Sequence, residues 1–308
     1  MADKILHVHD SLLGHVPRAG ATATVASGAP VTIGADGLRF SGEDLASTEG
    51  PILAVGDSFT YGEDVGDTDA WPAQLQKLTG RRVLNGGVTG YGFDQIVLRT
   101  ERLVETYKPS VVIVSFIADD IRRTEMRRLW WYDKPWFAIE DDQLVLKGVP
   151  VPQRTTLPLK VRHGLEKVLF ELPYILQHLL GYHARIHRPG TGRAIALQLI
   201  ERLARLQAEH QARIVVMAQY DPQVWIDGAP AAEQRRLTQA ILDGASTNGL
   251  AILDTFRRFA TEPNPREFYG TMHLNPRGNR MVASLLAARL PDLLTNGSSR
   301  RAESKIGD

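Results

Sequence analysis

The chain reads as an α/β protein built on a parallel sheet, and three observations predict this. From residue 51 onward, short apolar, β-branched runs alternate with segments of helical periodicity. The runs are apolar at consecutive rather than alternate positions, the pattern of strands covered on both faces. The first three end in small or polar residues, Gly56-Asp57-Ser58, Asn85-Gly86-Gly87 and Ala118-Asp119-Asp120, suited to tight strand-to-helix turns. Strand–helix–strand order of this kind implies right-handed crossovers and parallel pairing.

In chain order, residues 1–50 are rich in Gly, Ala, Ser and Thr and read as an N-terminal extension or arm packed on the domain. Ala23-Thr24-Val25 and Val31-Thr32-Ile33 are its candidate edge strands. Ile52-Leu53-Ala54-Val55 is the first buried strand. It breaks at Gly56-Asp57-Ser58, where, from these residues alone, the plain reading of Ser58 is a helix N-cap. Residues 69–80 predict a helix with Asp69 as N-cap, Pro72 in the first turn and Gly80 as the stop. Residues 82–85 are the second strand, followed by the glycine-dense loop Gly86-Gly87-Val88-Thr89-Gly90-Tyr91-Gly92. A helix follows over 93–107, and then the longest apolar run, 111–117.

Residues 122–190 break the alternation and read as an insertion, either an ordinary packed subdomain or a lid over the mouth of the sheet. Aromatic residues concentrate there, in Leu129-Trp130-Trp131-Tyr132 and Pro135-Trp136-Phe137. Glu140-Asp141-Asp142 reads as a hairpin turn, and 165–180 as a mostly apolar helix kinked at Pro173. The alternation then resumes: helix 194–211, strand 213–218, helix 231–249 ended by Asn248-Gly249, strand 250–254, and helix 276–294 opening on Pro276. The main domain is 51–296, and the polar residues 297–308 read as a disordered tail.

The 308 residues suit one elaborated α/β domain. Lys+Arg 36 against Asp+Glu 35 leaves no field favouring nucleic acid or an anionic membrane. The absence of cysteine excludes disulfides and thiolate metal sites. No run approaches the roughly 20 apolar residues of a membrane span, so no stable membrane insertion is expected. The N-terminus lacks a signal peptide's apolar core, which implies a cytoplasmic protein if Met1 is the native start. Nothing in the pattern fixes an oligomeric state.

The chemistry gathers at the strand ends. Those after Val55, Asn85 and Ile117 should lie side by side, carrying Ser58, the Gly90 loop and Asp119-Asp120. A late loop brings His273 just before the last helix. A serine hydroxyl is a weak nucleophile until a base takes its proton, and histidine titrates in the right range. The attacked carbonyl becomes an oxyanion and needs donors, which the N–H groups of Ser58 and Gly90 can supply.

Gly56-Asp57-Ser58-Phe59, Asn85 to Gly92, Phe116-Ile117-Ala118-Asp119-Asp120 and His273-Leu274-Asn275-Pro276-Arg277-Gly278-Asn279 resemble the ordered blocks of SGNH/GDSL hydrolases. The resemblance covers 51–120 and 212–290. It implies a three-layer α/β/α fold with a mainly five-stranded, flavodoxin-like parallel sheet. It also implies ester hydrolysis through an acyl-serine, with Ser58 as nucleophile, His273 as base and Gly90 as an oxyanion donor beside Ser58.

Two positions depart from the family pattern. Asp119 stands where the family usually has an asparagine donor. A carboxylate about 4 Å from the oxyanion, at an effective dielectric near 20, opposes it by on the order of 4 kcal/mol. Asp119 must therefore be protonated, in which case it joins Ser58 and Gly90 as an oxyanion donor, or be turned away, or serve another role, such as capping the following turn. Gly270 stands where the family usually has an aspartate that orients the histidine. Asp254 and Glu267 are candidate replacements, and the leading expectation is a Ser58–His273 dyad with His273 Nδ1–H bonded to main-chain oxygen.

Asp57 reads as a loop-fixing acceptor. Asp57, Asp120, Trp130 and Trp131 are weaker candidates for substrate contact. Asp57, Asp119 and Asp120 could together hold a divalent cation, but no histidine stands in their motifs. His7, His9, His163, His178, His183, His187 and His210 lack zinc spacing, so neither metal nor cofactor is expected. Arg122-Arg123 and Arg127-Arg128 read as a solvated face rather than as contacts to an anionic substrate. The expected partner is a small-molecule or glycan ester, with an acyl-sugar or lipid-like acyl group. An acyltransferase using the same acyl-serine stays open. So does a non-catalytic binding protein on this scaffold, motivated by Asp119 and Gly270.

Overall fold

The computed structural model describes residues 6–43, 45, 49–130, 132–153, 176 and 179–295. The N-terminal segment forms two antiparallel hairpins, β1 (His7–Asp10) with β2 (Gly14–Pro17) and β3 (Thr22–Thr24) with β4 (Pro30–Thr32). The second lies where alternation placed edge strands. The first has too few apolar residues to show in the sequence. Its turn is closed by Asp10 Oδ1, which accepts from Leu12 N and Leu13 N.

The chain then enters the sheet with β5 (Ile52–Val55), β6 (Val83–Asn85) and β7 (Val111–Phe116). The interruption carries β8 (Met126–Leu129), β9 (Tyr132–Asp133), β10 (Trp136–Glu140), β11 (Gln143–Lys147) and β12 (Ala184–Arg185). β10 and β11 form the hairpin read around residues 140–142, with Asp141 and Asp142 at φ 49° and 58° in its two-residue turn. The sheet is completed by β13 (Arg213–Ala218) and β14 (Ala251–Asp254). Its order is β14-β13-β7-β5-β6, all parallel. The order reverses between β5 and β7, the switch point where such sheets bind ligands.

Helices cover both faces, giving three layers. On one side, α3 (Phe93–Tyr107), α5 (Thr191–His210) and α6 (Ala229–Thr247) bury Ile96, Leu199, Leu203 and Ile241 against Leu53, Val112, Val114, Ile214 and Val216. On the other, α2 (Trp71–Thr79) and α8 (Pro276–Thr295) bury Trp71, Leu75, Val282 and Leu286 against Ile52, Ile113, Val215 and Met217. Neighbouring residues of one strand thus serve opposite cores, which is why the strands read as unbroken apolar runs. Short α1 (Ser58–Tyr61), α4 (Ala118–Arg123) and α7 (Phe256–Phe259) follow β5, β7 and β14.

Three helix starts differ from the sequence reading, α6 by two residues, at Ala229. α2 begins after Ala70, not Asp69, because its first donor, Trp71 N–H, is taken by Asn279 Oδ1 of α8 at 2.9 Å. α5 begins three residues early, at Thr191. Glu125 Oε1 accepts from Gly190 N and Gly192 N there, capping the helix from a distant loop. The kinked helix read at 165–180 lies outside the described residues apart from 176, 179 and 180, and the tail 297–308 lies wholly outside them. Among the described residues, no helix is long and apolar enough to cross a membrane.

Candidate active site

Ser58 is the first residue of α1, so its N–H is not spent on the helix. The cap is Asp57, not Ser58: Asp57 Oδ1 accepts from Phe59 N at 2.9 Å. The turn is held close to the neighbouring loop. A methyl group added at Gly87 would stand 2.4 Å from Tyr61 N and 2.8 Å from Thr60 C, so only glycine lets the β6 loop lie against α1.

Behind α1, the chain from Tyr61 to Asp67 wraps around Arg39. This fully buried side chain donates to Tyr61 O and Gly62 O at 2.5 Å and to Val65 O at 2.6 Å, and faces Asp67 at 3.7 Å. Its bonds to carbonyls on either side fix the loop that carries Asp64. His273 arrives from the opposite direction. Gly270 N donates to His273 O at 2.8 Å, closing a turn. Asn275 Oδ1 accepts from Arg277 N and Gly278 N, capping α8, and Tyr269 OH donates to Tyr220 O. The two loops meet at the imidazole. His273 Nε2 lies 2.9 Å from Ser58 Oγ, and His273 Nδ1 lies 3.1 Å from Asp64 Oδ2. With Nδ1–H donating to the carboxylate, Nε2 is left to accept the serine proton. The hydrogen bond from His273 holds the Asp64 carboxyl below its ordinary range, so it stays charged wherever the imidazole works as a base.

Ser58 and His273 open onto a cavity of about 640 Å³. Gly90, Asp119, Trp130 and Met272 also line it. Gly90 has φ +74°, and a methyl group there would strike the Trp130 ring at 2.5 Å. Both the turn and the aromatic wall therefore need glycine. On the cavity wall Arg123 is a hub. It donates to Asp120 Oδ1 at 2.7 Å and Tyr91 O at 3.0 Å, stands 3.7 Å from Asp57 Oδ2, and lies over the Trp130 ring. Burial pushes the Asp57 and Asp120 carboxyls up, and Arg123 opposes both shifts.

The sequence matches the GDSL-like Lipase/Acylhydrolase family over residues 54–281, most of the chain. The chain belongs to this family. This GDSL-like acylhydrolase is accordingly a hydrolase acting on ester bonds. Its fold is shared by an alpha/beta hydrolase enzyme, LAE5, from the metagenome of Lake Arreo, Spain, at 14% identity and TM-score 0.51, covering 81% of this chain and 98% of the other. Also similar are Axe2, an acetylxylan esterase from Geobacillus stearothermophilus (13% identity, TM-score 0.48, 79% and 94% covered), and a lipase/acylhydrolase from Enterococcus faecalis (12%, 0.48, 78% and 95%). No curated protein matches the chain in sequence.

Of the residues singled out in the sequence, the acylhydrolase brings Ser58, Gly90, Asp119, Trp130 and His273 to one cavity. Asp57 and Asp120 are fully buried below it, bound to backbone and Arg123, and do not line it. Trp131 lies outside the described residues. The expectation that main-chain oxygen holds His273 Nδ1 gives way to Asp64. Asp254 instead accepts from Phe256 N and Glu267 from Asn264 Nδ2. Arg123 departs from the solvated-face reading, being 13% exposed and bonded to Asp120, whereas Arg122 is 38% exposed and pairs with Asp119. The sequence reading missed Asp64 and Arg39, and it missed the role of Arg123. Asp64 had one signal, an acidic residue in the loop directly after the serine helix.

Proposed function

We propose that this acylhydrolase is a serine esterase working through an acyl-Ser58 intermediate, with His273 as base and Asp64 as the carboxylate that orients it. The observation that carries the reading is the continuous relay Ser58 Oγ–His273 Nε2 at 2.9 Å and His273 Nδ1–Asp64 Oδ2 at 3.1 Å. Ser58 Oγ adds to the ester carbonyl carbon while its proton passes to Nε2, and the carbonyl π pair moves to oxygen. The N–H groups of Ser58 and Gly90 are the oxyanion donors. Collapse re-forms the carbonyl and expels the alkoxide, which takes the proton from Nε2–H. Water then repeats the sequence, losing its proton to Nε2, and releases the acid.

Asp57 and Asp120 serve this site indirectly, by fixing the turns that present Ser58 and α4. Leu129, Trp130, Tyr132 and Tyr182, all from the interruption of the α/β pattern, line the cavity, which supports reading 122–190 as a specificity-setting cover. The apolar wall of Phe59, Ile117, Leu129 and Trp130 suits an acyl chain or the face of a sugar ring, favouring an acyl-sugar or lipid-like ester. Both departures that motivated a non-catalytic reading have local compensation, Asp64 for Gly270 and Arg122 for Asp119.

The test is hydrolysis of p-nitrophenyl acetate from about pH 5 to about pH 9. Turnover that disappears in Ser58→Ala, with the melting temperature kept, supports the esterase. Turnover that persists in that variant removes Ser58 from the chemistry. Added alcohols that divert the acyl group faster than water would assign an acyltransferase instead.

A further inference from the structure

Asp119 poses an electrostatic problem. It lines the cavity together with Ser58 and Gly90, and negative charge forms on the substrate oxygen when the serine adds. A carboxylate on the same wall repels that charge, and the repulsion grows as a bound substrate expels screening water.

Arg122 stands one turn further along α4. Its Nη1 donates to Asp119 Oδ1 at 2.5 Å. Its Nη2 lies 3.8 Å from Glu233 Oε1 of α6. The other cations on the cavity wall are engaged elsewhere: Arg123 with Asp120, and Lys134 with Asp94 at 2.5 Å. Asp221, a further acid on the wall, accepts from Gln223 N and Gln234 Nε2. Arg122 is thus the cavity cation whose hydrogen bond goes to Asp119.

We propose that Arg122 is a positioning residue, which turns the Asp119 carboxylate away from the oxyanion and cancels its charge so that this wall tolerates the transition state. The inference rests on the esterase reading above. It extends that reading by assigning a role to a residue pair that neither attacks, transfers a proton nor donates to the oxyanion.

The test is a double-mutant cycle with Arg122→Gln, Asp119→Asn and both together, assayed on p-nitrophenyl acetate. Both positions are partly exposed, so folding should survive, and melting curves check that it does. Arg122→Gln should lower kcat by about 10- to 100-fold with KM changed by no more than about threefold, since the harm arises only when charge develops. Asp119→Asn alone should match or exceed wild type. The double variant should return to within about threefold of Asp119→Asn, because the uncompensated carboxylate is gone. A boronic acid, which binds as a tetrahedral anion on the serine, should follow the same pattern in affinity.

An Arg122→Gln enzyme as fast as wild type overturns the inference. So does a double variant as slow as Arg122→Gln, which would make the guanidinium itself the oxyanion donor. Failure of the underlying reading is distinguishable: wild type would then neither turn over the ester nor bind the boronic acid.

Discussion

Asp64 stands beside position 270, where an acid would be expected. A methyl group built on Gly270 would stand 3.9 Å from Asp64 Oδ2. In the proposed mechanism this carboxylate, of different chain origin, takes the same electrostatic task of fixing the tautomer and stabilising the imidazolium. Asp64→Asn should therefore lower kcat by about 10- to 100-fold with KM little changed, less than for a fully buried acid because this side chain is 45% exposed. Adding Gly270→Asp to an Asp64→Ala variant, which vacates the neighbouring volume, should restore part of the loss. Steady-state kinetics on one ester checks both, and an unaffected Asp64→Asn would reduce the site to a dyad. Ser58, Gly90 and His273 were legible in the sequence because their chemistry demands those residue types at strand and loop ends. Asp64 was not, because its loop is shaped by Arg39, a buried cation from the N-terminal segment that no local pattern links to it.

Among the elements, the strands were the most legible and the helix starts the least. Burial on both faces leaves a strand unbroken and apolar, whereas α2 and α5 borrow their caps from Asn279 and Glu125, far away in sequence. The contact between the β6 loop and α1 is a tight joint beside Ser58. Gly87→Ala should cost about 1–3 kcal/mol of stability through overlap with the α1 backbone and should slow turnover by shifting Ser58. Chemical denaturation read beside kcat tests this, and unchanged stability would contradict the packing. The first hairpin is fastened to α3 by Asp10, whose two oxygens take Arg102 Nη1 and Nη2 at 2.8 and 2.9 Å. Burial alone would raise its carboxyl, but the Arg102 bonds and the turn N–H groups bring it down to about 2. The folded value lies below the ordinary 3.8, so the stabilisation is complete above about pH 4 and is lost as the pH falls toward 2. Asp10→Asn should therefore melt below wild type near pH 7, and the two should converge toward pH 2. A gap that widens in acid would reverse the assignment.

For the whole molecule, the site is a product of topology. The reversal of strand order between β5 and β7 opens a crevice that the α1 and α4 turns flank. The terminal helix α8 delivers His273 to it from the far end of the chain. Around that frame the N-terminal hairpin and the interruption between β7 and α5 add His7, His15, Trp130 and Tyr182 to the wall. These additions are irregular, and their placement depends on contacts such as Gln95 Nε2 with Leu13 O and Tyr91 OH with His15 O, which periodicity does not reveal. The family match extends across most of this frame. The central claim is that Ser58 and His273 act as one nucleophilic unit. It is tested most directly by treating the protein with a fluorophosphonate and mapping the adduct by peptide mass spectrometry, in wild type and in His273→Ala. One adduct should form, on Ser58, far more slowly without the imidazole. An adduct on another residue, or labelling of Ser58 at an equal rate in both proteins, would contradict it.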